Sequence, residues 1–353
     1  MNHKLTAAVV FGGVSTEHTI SRMSVTSVLN HLNRDFYDIK VIGITRDGEW
    51  YAYEGDTALI QNGDWERSDK KFPCVISPDR KCHGMLIHRE NGWEEQRLDV
   101  IFPVLHGKNG EDGTIQGLFE LAGIPYVGCG VMASANCMDK DTAKRLFVSA
   151  GVPTAKWLTA TPEKDIRDLD AEIQETVRYP VFVKPANSGS SIGITKAHNL
   201  EELKGALEEA FRHDWKVLLE ETIHGRECEC AVLGNRTDAK TSAVIGEIIP
   251  IRDLYDFEGK YTDGTTRLEI PAALPEEQTA LLKATALRAY HALGCEGLSR
   301  VDFFALDDGS VILNEINTLP GFTNISMYLK LFMESEYSYS GLLDALIQAA
   351  LNR

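Results

Sequence analysis

Positive charge is in short supply in this chain: 36 Lys and Arg against 52 Asp and Glu leave a formal net charge of −16. That balance excludes a long nucleic-acid contact, although a local basic pocket stays compatible with it. Long apolar runs are also missing. The N-terminal MNHKLTAAVVFGG holds only the short run Ala7–Phe11, which predicts neither a signal peptide nor a membrane span. The seven cysteines form no CxxC and no paired zinc spacing, so reduced, mostly buried thiols in a cytoplasmic protein are expected. Cys228 and Cys230, two apart, share a strand face and belong to a core. GxxxxGK[ST] and GxGxxG are absent, so neither a P-loop nor a dinucleotide fingerprint is present. There are no repeats and no low-complexity tract.

What is present is a globular composition, 43% hydrophobic and 25% charged over 353 residues, enough for two or three domains. Strands at Val9–Phe11, Val41–Ile44 and Asp99–Leu105 alternate with helices over about 16–32 and 114–122. This predicts an α/β chain beginning with a partly parallel, doubly wound sheet. Residues 47–97 are turn-rich and read as an irregular insertion or hairpins. A boundary is expected near 130–139, followed by a helix Lys140–Ala150 that stops at Gly151 and Pro153. Further strands are expected at Val181–Lys184, Val217–Leu219, Cys228–Leu233 and Ala243–Ile249, with helices at Leu200–Phe211 and Glu276–Leu293. The polar stretch Asp253–Leu268 reads as a loop.

The segments SRVDFFAL (299–306) and VILNEIN (311–317) flank Asp308-Gly309, a hairpin signal. A two- or four-residue loop gives paired numbers that sum to 617, placing Asp302 opposite Glu315 and Arg300 opposite Asn317. Directly opposed carboxylates repel unless a shared proton or a cation intervenes. With the Asn317 amide one step on, the set offers hard oxygen ligands, which suits Mg²⁺ completed by substrate phosphates. A solvated polar face with Arg300 paired to an acid is the other reading.

KPANSGSSIGITK (184–196) follows a strand, and its Gly189 and Gly193 flank Ser190-Ser191. Such a loop can open backbone N–H groups to a phosphate, and it is equally compatible with a plain turn. Lys184 at the strand end and Lys140 in CMDKD are candidate cations for phosphates. VLLEETIHGRE (217–227) offers backbone groups and the acids Glu220 and Glu227 to an adenine and a ribose, or simply caps a turn.

These segments occur in a familiar order. FGGVSTEHTIS (11–21), HGKNGEDGTIQGLFE (106–120), MDK (138–140), KPANSGSSIG (184–193), LYDFEGKY (254–261), SRVDFF (299–304) and NEINTLPGFT (314–323) together resemble the ATP-grasp ligases, most closely the D-alanine–D-alanine ligases, over essentially the whole chain. The resemblance implies a three-domain ATP-grasp fold whose N-terminal domain is doubly wound and Rossmann-like. Residues 1–135 would bind the first D-alanine. Residues 136–220 would form the central ATP-grasp subdomain, and 221–353 the C-terminal one with the metal and second-substrate site. A homodimer is the family expectation.

The resemblance also implies roles. Lys140, Lys184 and Lys260 would bind phosphates, with Ser190 and Ser191 in the closing loop. Glu220 and Ile223 would hold the adenine and Glu227 the ribose. Asp302, Glu315 and Asn317 would hold two Mg²⁺ ions, with Mn²⁺ as a substitute. Glu17 would take the first ammonium and form a hydrogen-bonded trio with Ser190 and Tyr261. His106 would lie near the first substrate in an electrostatic role. Arg300 and the Gly321 N–H would stabilise an oxyanion, and Ser326 would meet the second carboxylate. Met327, where serine-preferring relatives commonly carry Arg, would favour D-alanine. The implied activity is ATP-dependent formation of D-alanyl-D-alanine through an acylphosphate, for peptidoglycan synthesis. Competing readings are a D-alanine–D-serine ligase, another ATP-grasp carboxylate–amine ligase and a catalytically silent nucleotide-binding regulator. The last should have lost Arg300 or a metal ligand, and neither is lost.

Overall fold

The computed structural model describes residues 4–189, 191–249, 267–334 and 336–353. Three sheets organise the chain, in sequence order. The first runs β6-β5-β4-β3-β2-β1-β7, from β1 (Leu5–Gly12), β2 (Tyr37–Ile44), β3 (Trp50–Tyr53), β4 (Lys71–Ile76), β5 (Gly84–Arg89), β6 (Gly92–Arg97) and β7 (Val100–Val104). β1 lies parallel to β2 and β7. Its run Ala7–Phe11 is wholly buried, as a central parallel strand covered on both faces must be. Helices α1 (His18–His31), α2 (Ala58–Asn62) and α3 (Thr114–Ala122) belong to this part, and α3 ends at Gly123 in the left-handed conformation expected of a helix stop. The stretch 47–97 is not irregular. Its hairpins extend the same sheet antiparallel, and the outermost strand, GWEEQR, presents charge at the open edge.

The second sheet, β10-β9-β11-β8, comprises β8 (Trp157–Ala160), β9 (Val181–Pro185), β10 (Thr195–Ala197) and β11 (Val217–Glu221). It packs against α6 (Ile166–Thr176) and α7 (Leu200–Ala210) around Val181, Val183 and Leu219. Before it come α4 (Val131–Met138) and α5 (Lys140–Ser149). Asp139 caps α5 by accepting the Thr142 N–H at 2.9 Å. The third sheet, β15-β14-β12-β16-β17 with β13 on β12, is antiparallel. Its strands are β12 (Arg226–Gly234), β13 (Lys240–Thr241), β14 (Gly246–Ile249), β15 (Arg267–Glu269), β16 (Gly297–Ala305) and β17 (Val311–Asn317). Cys228 and Cys230 face its core beside α8 (Glu276–Ala292), as expected. Two helices follow, α9 (Met327–Met333) and α10 (Tyr339–Leu351). The apolar face of α10 joins the core of the first sheet, so the last helix seals the first strands. Among the described residues no helix is long and apolar enough to cross a membrane.

The β16–β17 hairpin differs from its expected form in two ways that cancel. Leu306 N–H donates to Ser310 O at 2.9 Å, and Gly309 sits at φ 86, so the loop has an odd number of residues. Pairing then starts at Ala305↔Val311, one out of the expected register, until a bulge at Asn314 restores it. Beyond the bulge Asp302 lies opposite Glu315 and Arg300 opposite Asn317, as the sum of 617 requires. The bulge has a second effect. Strict alternation would put Glu315 on the core side with Val311 and Leu313. With Asn314 inserted, Glu315 and Asn317 instead share the cleft side, and Ile316 returns to the core.

Candidate active site

The strand ends and loops of all three sheets converge on a cleft of about 950 Å³, a size suited to a nucleotide with small co-substrates. Every described member of the predicted site set lines it: Glu17, His106, Lys140, Lys184, Ser191, Glu220, Ile223, Glu227, Arg300, Asp302, Glu315, Asn317, Gly321, Ser326 and Met327. Ser190, Lys260 and Tyr261, and most of the 253–268 loop, lie outside the described residues.

At the acid end, β12, β16 and β17 present Glu229, Asp302 and Glu315 side by side, since Asp302 is the register partner of both others. Arg300 runs along this row. Its Nε donates to Asp302 Oδ1 at 2.8 Å and its terminal nitrogen to Oδ2 at 2.7 Å. Nε is also 3.0 Å from Glu229 Oε2. Asn317 Nδ2 donates to Asp302 Oδ2 at 3.0 Å, and Lys140 Nζ is 3.8 Å from Glu315 Oε2. Cations therefore already answer the negative charge of the pair. Two carboxylates with an amide one step further along the same strand face form a hard-oxygen donor set that fits Mg²⁺.

At the opposite end, Lys184 on β9 and Glu220 on β11 meet across neighbouring strands, with Nζ 3.1 Å from Oε1. Burial alone would raise the Glu220 pKa, but Lys144 and Lys184 outweigh it and hold the carboxyl below its usual range. Lys140 is fixed by donating to Ser188 O at 2.6 Å, which ties α5 to the Ser/Gly loop.

The third corner is built on the Gly12-Gly13 turn after β1. Gly12 is at φ 93, and a Cβ there would meet Ile44 O at 2.0 Å, so only glycine fits. The turn delivers the buried Glu17 to the cleft at the start of α1. Gly107 and Gly189 both approach it closely: a Cβ at Gly189 would lie 3.0 Å from Glu17 Oε2. His106 is buried. Burial lowers its pKa while Glu17 opposes the shift. Its Nδ1 is 3.2 Å from Leu319 O, which ties the first sheet to the Leu319–Gly321 turn. Across that turn, Ser326 Oγ accepts the Thr323 N–H at 3.0 Å and faces Gly321. Met327 Sδ packs against Gly246.

Two cleft-lining residues, Glu229 and Glu111, and the buried Lys144 behind Glu220 escaped the sequence reading. Glu229 was findable: it alternates with the core cysteines and shares a face with Glu227. Lys144 was findable too, one helical turn after Lys140 on the same face. Glu111 lies within the HGKNGEDG motif and accepts the Gly107 N–H at 2.5 Å. Burial, with the Glu17 charge adding to it, pushes its carboxyl up to about 8, so it holds a proton near neutrality; nothing in the sequence signals that.

The chain matches two family models, "D-ala D-ala ligase N-terminus" over residues 6–129 and "D-ala D-ala ligase C-terminus" over 146–348. It is 49% identical to a D-alanine–D-alanine ligase of Acetivibrio thermocellus, over 100% of this chain and 97% of that one. Among solved structures, the VanG D-Ala:D-Ser ligase from Enterococcus faecalis superposes with a TM-score of 0.90 at 42% identity, covering 99% of this chain and 100% of its own. The D-alanine–D-alanine ligase from Coxiella burnetii gives 0.87 at 35%, over 99% and 94%. Both halves are matched and the relatives align along nearly their whole length, so the chain belongs to the D-alanine–D-alanine ligase family, ATP-dependent ligases with a three-domain ATP-grasp fold.

Proposed function

We propose that this chain joins two D-alanines into D-alanyl-D-alanine at the expense of ATP, for peptidoglycan precursor synthesis. The observation that carries the reading is the single cleft in which the Arg300–Asp302–Glu315–Asn317 hairpin faces Lys140, Lys184 and Glu220. The first carboxylate attacks the γ-phosphate to give an acylphosphate; the second amine then attacks that carbonyl and phosphate leaves. Both steps build negative charge, so cations and N–H donors dominate catalysis.

Lys140, Lys184 and Lys260 bind phosphates; Glu220 and Ile223 contact the adenine and Glu227 the ribose. Asp302, Glu315 and Asn317 would hold two Mg²⁺ ions, replaceable by Mn²⁺. Bound there, the metal would neutralise phosphate charge. Arg300 and the Gly321 N–H face the tetrahedral oxyanion, and Ser326 receives the second carboxylate. His106 positions the Leu319–Gly321 turn. Residues 1–135, 136–220 and 221–353 form the three domains of a cytoplasmic homodimer.

Glu17, Ser190 and Tyr261 close the site as one network, a reading supported by the approach of Gly189 to Glu17. Truncations of Glu17 and Ser190 to Ala should then be non-additive, with a coupling of at least about 1 kcal/mol in kcat/KM. A double variant whose loss equals the sum of the singles would mean that they act separately.

The likeness to a D-Ala:D-Ser ligase supports a second reading, D-serine as the second substrate. Met327 argues against it. An apolar pocket discriminates against an added hydroxyl by about a hundredfold at most, so preference for serine requires a dedicated polar partner. The buried Met327 side chain has no donor. Equal D-alanine, D-serine and D-lactate near neutral pH, with products separated by mass, should yield mainly D-alanyl-D-alanine and a minor mixed dipeptide. A majority of D-alanyl-D-serine would overturn the substrate assignment while leaving the metal site and acylphosphate chemistry standing.

A further inference from the structure

Lys144 has no part in the scheme above, yet among the described lysines and arginines it alone is buried. Its Nζ is 3.3 Å from Glu220 Oε2 and donates to Thr154 Oγ1 at 2.9 Å and Ala155 O at 3.3 Å. Thr154 Oγ1 in turn donates to Leu313 O at 2.9 Å, so the ammonium is held from both sides. The other oxygen of Glu220 accepts from Lys184. One buried carboxylate thus has two lysines. In the proposed function Lys184 turns to the phosphates, and Lys144 is then the cation that stays with Glu220.

We propose that Lys144 sets the base specificity of the nucleotide site: fixed on Glu220 Oε2, it keeps this carboxylate an acceptor only, so the site takes a 6-amino purine and rejects a 6-oxo purine. The inference rests on the proposed placement of adenine beside Glu220. An ionised carboxylate has no hydrogen to donate. It accepts from a 6-amino group, but opposite a 6-oxo group it sets two acceptors face to face in a site with little water to separate them. Burial disfavours the charged form of Glu220, and Lys144 is first among the charges that oppose it. Removing Lys144 shifts the balance toward the protonated carboxyl, whose O–H can donate to a 6-oxo group. Lys144 is therefore a positioning residue that acts through Glu220.

The test is Lys144→Met, assayed with ATP and with inosine triphosphate in the same preparation, so that any unfolded fraction cancels in the ratio. The preference in kcat/KM for ATP should fall at least about tenfold, the size of one charge-assisted hydrogen bond lost. The loss should lie in KM. Use of inosine triphosphate by the variant should rise as pH is lowered, with no such rise in the parent enzyme. Calorimetric binding of ADP and inosine diphosphate, without turnover, should show the same loss of preference. Lys144→Gln, which keeps a hydrogen bond to Thr154 within reach but removes the charge, should shift the ratio in the same direction. An unchanged ratio in both variants would overturn the assignment, whatever their stability. Glu220→Gln separates the two layers. If it changes the ratio and the Lys144 variants do not, only the role of Lys144 fails; if it too leaves the ratio unchanged, the adenine placement itself is wrong.

Discussion

Glu315→Gln is expected to lower turnover by at least about a hundredfold, or about 2.7 kcal/mol of transition-state stabilisation. The amide keeps the volume of the side chain and removes its charge. The Asn314 bulge turns Glu315 out of the core and sets it opposite Asp302, so the loss falls on the pair and not on packing. The Mg²⁺ concentration giving half-maximal rate should rise in parallel, and the unfolding midpoint should stay close to that of the parent. Turnover within a few-fold of the parent at saturating Mg²⁺ would remove Glu315 from the proposed metal site.

Arg300→Lys should show an effect of similar size with a different signature. Arg300 spans two acids, Asp302 through 2.8 and 2.7 Å hydrogen bonds and Glu229 at 3.0 Å. A lysine keeps the charge but has no planar fork with which to hold this position. If Arg300 faces the oxyanion, kcat should fall by about a hundredfold or more, with the KM for ATP within about threefold of the parent. A change confined to the KM for ATP would reassign Arg300 to the nucleotide.

Both predictions concern residues that the sequence could bring together, and the reason is geometric. A hairpin signal with apolar flanks fixes which residues face each other beyond the turn, so Asp302 and Glu315 could be paired before any coordinates. The route to that pairing was not legible. An odd loop and a compensating bulge cannot be read from VILNEIN, because the bulge is selected by tertiary demands: Ile316 must reach the core while Glu315 must leave it. The antiparallel extension through 47–97 was hidden for a related reason. β3 to β6 are short and flanked by polar turns, and β6, at the edge, carries no apolar alternation to read.

The site divides in the same way. Motif residues such as Lys184, Arg300 and Glu17 were visible because the order of their motifs resembles a family. Lys144 and Glu229 look like an ordinary helix lysine and an ordinary strand acid. Their importance comes from Glu220 and Arg300, partners 76 and 71 positions away along the chain. Glu111 lies inside the HGKNGEDG motif, but its raised carboxyl depends on enclosure beside Glu17, a property of packing alone. The contact of His106 with Leu319 O, between the first sheet and the Leu319–Gly321 turn, is likewise a product of the fold and not of local sequence.

The central claim, that the cleft couples ATP cleavage to D-alanine ligation, is tested most directly by following ADP and phosphate release from the purified protein with ATP and Mg²⁺ as D-alanine is added. The account predicts little release without D-alanine, a saturable increase with it, and one D-alanyl-D-alanine formed for each ADP. ADP release that ignores D-alanine, or no release at any D-alanine concentration, would contradict it.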